Sequence, residues 1–226
     1  MKFSIKSVST ENLESDIFRK LAAKADVFEG YQHPHAERIA RIADELGKIL
    51  NLATKDRQSL RAAALLHDLG ESSMNRDYIK RAGSLNEEER LDLARHPIIG
   101  EREAALVGAD RATQLLVRWH HEWWNGAGYP DALRREQIPL AARVLRIADS
   151  YAAITDVRSF RPPMTQAEAQ QHLIAWAGVE FDPRLVTAFL ALDSLKELES
   201  FATAEAEPAA NEAPAKGWNL FATNRG

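Results

Sequence analysis

The chain has 226 residues, of which 45% are hydrophobic and 27% are charged, proportions that suit one globular domain with a sizeable core. The formal net charge is −4, so no basic excess indicates a nucleic acid or an anionic membrane as a partner. The absence of cysteine excludes disulfides, iron–sulfur clusters and thiolate zinc sites, so any metal must be bound by His, Asp or Glu. No signal peptide is recognisable, and no stretch reaches the ~20 apolar residues that cross a bilayer. We therefore expect a cytoplasmic protein.

Apolar residues recur at helical spacing in almost every segment, and no alternating strand pattern is recognisable. This pattern predicts an all-α fold. The predicted helices, in chain order, lie around residues 13–25, 39–50, 60–69, 106–119 and 144–154.

Two later segments carry signals for the start of a helix. Thr165 is a predicted N-cap, and Glu168 completes a capping box with it. Asp182 followed by Pro183 is typical of another helix start. The stretch 123–139 differs, because it is rich in Gly and Pro and lacks periodicity, which predicts an ordered, functional loop.

His67 and Asp68 follow the apolar run 62–66, at the end of a helix that is predicted to be buried. A buried His and Asp must be paired or bound to a metal, because leaving them without partners costs several kcal/mol. For these two residues alone, a buried His–Asp hydrogen bond explains the sequence as well as a metal site does.

The same anomaly occurs in two further apolar helices. His120 and His121 follow the run 115–119, and Asp149 lies at the end of the apolar run 144–149. Three buried helices thus each carry a ligand type where a core residue is expected, which favours one shared site over three separate hydrogen bonds. Two metals about 3.5–4 Å apart, bridged by a carboxylate, can clamp a phosphodiester and activate a hydroxide for attack.

The chain resembles the HD-GYP domains, a branch of the HD metal-dependent phosphohydrolases, over most of its length, from about Tyr31 to about Leu192. An ordered set of motifs carries the resemblance. They are His35 within residues 34–40, His67-Asp68-Leu69-Gly70, His96-Pro97-Ile98-Ile99-Gly100, His120-His121-Glu122, residues 125–130, residues 138–143, Ile147-Ala148-Asp149-Ser150-Tyr151, and Arg158 to Arg161.

The resemblance implies an HD-domain helical bundle of about five core helices with extra N-terminal and C-terminal helices. Residues 1–30 then form an N-terminal helical segment, residues 31–195 the phosphohydrolase domain and residues 196–226 a flexible tail. It also implies a hydrolase that opens cyclic di-GMP to pGpG or GMP through a metal-bridging hydroxide. The expected cofactors are two divalent ions, Fe or Mn first, with Zn, Ni and Mg as alternatives.

The resemblance also assigns residues to roles. Asp68 bridges two metals and, with Glu71, is a candidate catalytic residue, while Gly128 and Tyr129 would shape the substrate pocket. Arg158 and Arg161 are substrate-binding candidates, with a solvated helix start as an equally good interpretation. The expected metal ligands are His35, His67, Asp68 and Asp149 around one metal, and Asp68, His96, His120 and His121 around the other.

The chain departs from the family pattern at four positions. Glu71 stands where the family usually has Lys, which either weakens substrate binding or makes Glu71 a ligand or base. Tyr31 stands where members with a third metal have an acid, so we expect two metals. Ala152 replaces a usual Asp, and Pro162 a usual basic residue.

These departures keep two other functions open beside the cyclic di-GMP phosphodiesterase. One is a signalling or binding module whose catalysis is impaired, and the other is an HD hydrolase of another nucleotide or cyclic dinucleotide. The expected partner is accordingly a small-molecule cyclic dinucleotide or nucleotide. A signalling protein partner and the oligomeric state are left open.

Overall fold

The computed structural model describes residues 10–81, 83–157 and 162–192, and within these ranges the regular elements are helices, which confirms the predicted all-α fold. Among these helices none is both long and apolar enough to cross a membrane. The described helices are α1 (Thr10–Glu29), α2 (His35–Ile49), α3 (Thr54–Leu66), α4 (Leu69–Met74), α5 (Asp77–Lys80), α6 (Glu87–Leu93), α7 (His96–Leu106), α8 (Arg111–Trp119), a 3-10 turn (Arg135–Gln137), α9 (Leu140–Thr155), α10 (Gln166–Ala175) and α11 (Pro183–Leu190).

The core lies where α2, α3, α8 and α9 pack together, with α7 against α4 and α8. Helix α2 contributes Ile39 and Leu46, and α9 contributes Leu145 and Ile147, all fully buried. Each large aliphatic side chain that is buried in this way contributes roughly 1.5–3 kcal/mol. The apolar stripes of the central helices therefore hold the bundle together.

Helix α1 packs on the same core, since Phe18 and Ala22 are buried among the residues of α2 and α3. It also places two buried acids, Asp26 and Glu29, close to the ends of α2 and α4. The division at residue 30 remains a prediction, and the predicted tail, residues 196–226, lies outside the described residues.

Both predicted helix starts near the C-terminus are confirmed. The backbone N–H of Glu168 donates to Oγ1 of Thr165 at 3.3 Å, and the Thr165 N–H donates to the Glu168 carboxylate at 2.8 Å. Asp182 accepts from the Arg184 N–H at 2.9 Å, with Pro183 as the first helical residue.

The prediction of one helix over residues 106–119 is wrong at its start. Helix α7 ends at Leu106, and Gly108 has a φ of 87°, which a helix cannot continue. A new N-cap follows, because Asp110 accepts from the Thr113 N–H at 2.8 Å. The apolar spacing runs across this break without interruption, so periodicity alone joined two helices.

Candidate metal centre

The predicted metal ligands lie at helix ends that converge inside the bundle. His35 and His96 are the first residues of α2 and α7, while His67 and His120 directly follow α3 and α8. Only Asp149 comes from the middle of a helix, α9. Polar side chains therefore enter the apolar core where helices stop.

The structure arranges these ligands as two adjoining groups, within each of which the ligand atoms lie within 4.8 Å of one another. The smaller group is fully buried and has Nε2 of His67 at 3.9 Å from Oδ1 of Asp149. The smaller group consists of His35, His67 and Asp149, and the larger of Asp68, His96, His120 and His121. We call the two groups together the cage.

The carboxylate of Asp68 lies between the two groups. Its Oδ2 is 2.9 Å from Nε2 of His67, without hydrogen-bond geometry. Its Oδ1 is 3.3 Å from Nε2 of His96 and 3.6 Å from Nε2 of His120. One oxygen thus faces each group, which is the arrangement of a bridging carboxylate.

Three imidazoles of the cage share one orientation, with Nδ1 facing the backbone of their own helix end. A ring whose Nδ1–H donates to a carbonyl keeps the lone pair of Nε2 for a metal. The Nδ1 atoms of His67, His96 and His120 lie 2.9, 2.8 and 2.6 Å from the carbonyl oxygens of Ala64, Leu93 and Val117.

His35 is oriented by an acid that the sequence reasoning missed. Its Nδ1 lies 2.5 Å from Oδ2 of Asp156, which also accepts from Arg38, and its ring stacks on Tyr31 at 3.7 Å. The available signal was a buried acid directly after the apolar helix α9.

Several cage atoms are buried without a hydrogen-bond partner, namely Nε2 of His35, Nε2 of His67 and Oδ1 of Asp68. Orphaned polar atoms of this kind cost free energy unless a ligand satisfies them. Imidazole and carboxylate donors without thiolate suit Fe, Mn, Zn or Ni. The residues present therefore fit a metal site.

Glu71 lies beside the cage, with Oε1 3.8 Å from Nδ1 of His96. Burial, together with the charges of Asp68 and Asp149, raises its pKa well above the ordinary value. For Asp68 burial acts in the same direction, but the neighbouring His67 and His120 hold its pKa well below the ordinary value. The surroundings therefore favour the ionised form of Asp68 and the protonated form of Glu71.

Glu29 joins Asp68 and Glu71 in a third group of close carboxylates. Tyr31, where the family pattern has an acid in members with a third metal, instead stacks on His35. The sequence reasoning missed Glu29, because a single acid at the end of an amphipathic helix gives no local signal.

The predicted pocket residues lie on the loop between α8 and α9. The ring of Tyr129 stacks on His121 with centroids 4.9 Å apart. Gly128 lies so close to the backbone of Trp123 that an added Cβ would be 2.2 Å from the Trp123 nitrogen. Only glycine therefore fits at this position. Arg158 and Arg161 lie outside the described residues.

Glu122 holds this loop in place. Its buried carboxylate accepts from the N–H groups of Asp131 at 2.7 Å and Leu133 at 2.9 Å. The loop is therefore anchored by the residue that directly follows the two cage histidines.

A cation also reaches the cage. Nη1 of Arg146 lies 2.8 Å from Nδ1 of His121 and 3.1 Å from Oδ2 of Asp149, and its Nη2 lies 2.5 Å from Oε1 of Glu180. The sequence reasoning assigned no role to Arg146, although a basic residue inside the apolar run 144–149 was a visible signal.

A profile of the HD domain family matches residues 19–185. The chain belongs to the HD domain family, in its HD-GYP branch. It is 32% identical over 209 residues to the cyclic di-GMP phosphodiesterase response regulator RpfG of Xanthomonas campestris, covering 88% of this chain and 53% of that protein. It is 28% identical to the 3'3'-cGAMP-specific phosphodiesterase 2 of Vibrio cholerae, covering 69% of this chain and 30% of that protein.

The fold has relatives of known structure. A cyclic GMP-AMP specific phosphodiesterase of Vibrio cholerae, V-cGAP3, superposes with a TM-score of 0.66 at 25% identity, covering 85% of this chain and 51% of that one. The chain thus spans about half the length of this relative and of RpfG.

Proposed function

We propose that this HD domain is a metal-dependent phosphodiesterase that hydrolyses a cyclic dinucleotide, cyclic di-GMP first of all. The observation that carries the proposal is the Asp68 carboxylate, with one oxygen toward each of two adjoining ligand groups. Relatives named as cyclic di-GMP and cGAMP phosphodiesterases support the substrate class.

The cage would hold two divalent ions, Fe or Mn first, with Asp68 as the shared ligand. The chemistry that such a pair supplies is polarisation of a phosphoryl oxygen and activation of water at neutral pH. His35, His67 and Asp149 would complete one position, and His96, His120 and His121 would complete the other.

The other residues of the site act on the substrate. Tyr129, stacked on His121, would form one wall of the substrate pocket beside the cage. Gly128 allows the loop that carries Tyr129 to lie against the backbone of Trp123. The backbone contacts of the cage histidines hold their rings in place, so that little reorganisation is needed when the substrate binds. Arg158 and Arg161 remain candidates for contact with the phosphates or the guanine bases.

The experiment combines a metal count with a turnover assay. The protein is purified without chelators, its metals are counted, and cyclic di-GMP or 3'3'-cGAMP is added with Mn²⁺ or Fe²⁺ under reducing conditions. We expect two metals per chain and linear products, pGpG or GMP from cyclic di-GMP. A protein that binds no divalent metal would overturn the proposal.

Glu71 favours a second candidate, a module that binds the nucleotide without turning it over. In its ionised form, the Glu71 carboxylate beside the bridging Asp68 opposes the approach of an anionic phosphodiester. Two metals without product from either dinucleotide would favour this candidate.

The variant Glu71→Lys separates the two readings. If the acid limits substrate binding, the Kd for cyclic di-GMP falls by about tenfold, equivalent to about 1.4 kcal/mol, and turnover rises. Glu71→Gln, which removes the acid without introducing a cation, is the matched intermediate. An unchanged Kd in both variants would show that Glu71 does not face the phosphate.

A further inference from the structure

Arg146 lies on α9, one helical turn before Asp149, and its side chain is 13% exposed. Its guanidinium joins two proposed metal ligands, His121 and Asp149, to the buried acid Glu180. The cage therefore contains a fixed positive charge in direct contact with residues that would bind metal cations.

The contact between Arg146 and His121 has a chemical consequence. An imidazole nitrogen that accepts a hydrogen bond has no proton, and its single lone pair points at the donor. Nδ1 of His121, 2.8 Å from Nη1 of Arg146, is in this state. It cannot accept from the guanidinium and bind a metal with the same lone pair.

Ligation through the other nitrogen leads to the same conflict. In a neutral imidazole that binds a metal through Nε2, the proton lies on Nδ1. Nδ1–H would then face an N–H group of Arg146, donor against donor. Whichever nitrogen His121 uses, ligation requires the hydrogen bond to Arg146 to break.

Asp149 is not subject to this conflict. Its Oδ2 accepts from Arg146 at 3.1 Å, while its Oδ1 faces His67 at 3.9 Å. A carboxylate has about four lone-pair directions, so Asp149 can pair with Arg146 and bind a metal together. The competition is therefore confined to the position that His121 completes.

We infer that Arg146 competes with the metal ion for His121 and thereby makes the position of His96, His120 and His121 the weaker of the two. The inference rests on the cage proposed above. Glu180 retains the guanidinium when it leaves His121, since Oε1 of Glu180 lies 2.5 Å from Nη2 of Arg146 and also accepts from Ser150 at 3.2 Å. Arg146 is a positioning residue that sets the metal affinity of one half of the cage.

The test is a titration of chelator-treated protein with Mn²⁺ at fixed pH, in which isothermal titration calorimetry measures the Kd of each binding step. Wild type is expected to bind two ions in two steps of unequal affinity. In Arg146→Met the Kd of the weaker step falls by about tenfold or more, because contacts to the outer nitrogen of a metal-ligating histidine change metal affinity by roughly 10–100-fold. The tighter step changes by much less, because Asp149 loses a neighbouring cation but frees no lone pair that the metal needs.

Arg143→Met is the matched control. Arg143 lies on the same helix and is as buried as Arg146, but its guanidinium pairs with Asp182 at 2.6 Å and touches no cage residue among its described contacts. Both Kd values are expected to stay within twofold of wild type in this variant.

Arg146→Met leaves Glu180 buried without its cation, so the double variant Arg146→Met/Glu180→Gln removes both charges and serves where the single variant does not fold. Far-UV circular dichroism verifies folding in each case. Wild type that takes up no Mn²⁺ would overturn the proposed cage itself. Two ions bound with unchanged affinities in the folded variant would overturn the role of Arg146 and leave the cage standing.

Discussion

At the scale of single residues, Asp68 has the most demanding position, because both of its oxygens face ligand groups and one of them is buried without a hydrogen-bond partner. The neighbouring His67 keeps its pKa low against the effect of burial, so the group is an anion ready to bind cations. The imidazole ligands around it, such as His67 and His96, add no negative charge of their own, which limits the negative charge that an incoming phosphate meets.

Asp68→Asn tests this role with almost no change of shape. We expect the metal content, measured by inductively coupled plasma mass spectrometry, to fall from two ions to one or none. Loss of a residue that only hydrogen-bonds a metal ligand lowers activity by up to roughly 100-fold. Loss of the bridging ligand itself should therefore lower turnover by at least that factor.

Asp92→Asn provides the matched control for this substitution. Asp92 pairs with Arg76 and Tyr78 at the protein surface, away from the cage, so both quantities should remain at the wild-type level. Full metal occupancy in Asp68→Asn would contradict the bridging role.

Two of the contacts that sequence reasoning missed join residues that lie far apart in the chain. Asp156 orients His35 across 121 positions of the chain, and Glu180 pairs with Arg146 across 34. No motif of short range connects such residues.

At the scale of helices, the cage depends on the close approach of α4 and α7. Gly70 lies at this crossing, where an added Cβ would be 2.1 Å from the carbonyl oxygen of His96 and 2.8 Å from the nitrogen of Gly100. The glycine of the His-Asp-x-Gly motif thus serves the packing that brings His96 to Asp68.

Gly70→Ala should push α7 away and move His96 out of reach. We expect a loss of roughly 1–3 kcal/mol in the free energy of unfolding, as for other overpacked sites, with weaker metal binding. Urea denaturation measures the first effect and a Mn²⁺ titration the second.

Gly47→Ala, in the last turn of α2, is the control. Its Cβ would meet only side-chain atoms at 3.3 Å, and alanine is the better helix former, so stability should change by less than about 1 kcal/mol. Equal stability of Gly70→Ala and wild type would show that the crossing can relax.

A network around Arg118 ties α7 and α8 to the loop that carries Tyr129. Arg118 lies 2.8 Å from Glu101 and 2.7 Å from Asp131. Burial raises the pKa of Glu101, but Arg118 and Arg111 outweigh it and lower this pKa. The hydrogen bond from Arg118 likewise lowers the pKa of Asp131. Carboxyl groups with lowered pKa values stabilise the fold above their unfolded pKa values and lose this effect as the pH falls through the folded values.

Arg118→Met should therefore destabilise the protein by about 1 kcal/mol at pH 7 and by less at an acid pH below the lowered pKa values of Glu101 and Asp131, where the carboxylates are protonated in wild type as well. Urea denaturation at the two pH values measures the difference. A difference between wild type and variant that is the same at both values would show that the network contributes nothing to acid sensitivity.

At the scale of the whole molecule, the cage connects six helices, because its ligands come from the ends or the body of α2, α3, α4, α7, α8 and α9. Metal ions that bind the folded protein and not the unfolded chain stabilise it by mass action. Metal ions bound in the cage would therefore also stabilise the packing of these helices.

We expect removal of metal by a chelator to lower the Tm. Free Mn²⁺ at 100 times its Kd stabilises by about 2.7 kcal/mol, which corresponds to roughly 5–10 °C for a domain of this size. Thermal unfolding followed by circular dichroism, with and without Mn²⁺, measures the shift. Asp68→Asn should show little of it, and a full shift in that variant would place the stabilising ion outside the cage.

The sequence by itself determined the helical class, the HD motifs and the residue types of the cage, because apolar periodicity, caps and adjacent ligands are local features of the chain. Glu71, Tyr129 and the seven ligands are all brought to one place in the structure. Only the tertiary structure decided which oxygen of Asp68 faces which group, and that Glu29, Asp156 and Arg146 also reach the cage. Those contacts arise from the packing of helices that are far apart in sequence, and no local pattern encodes the distance between them.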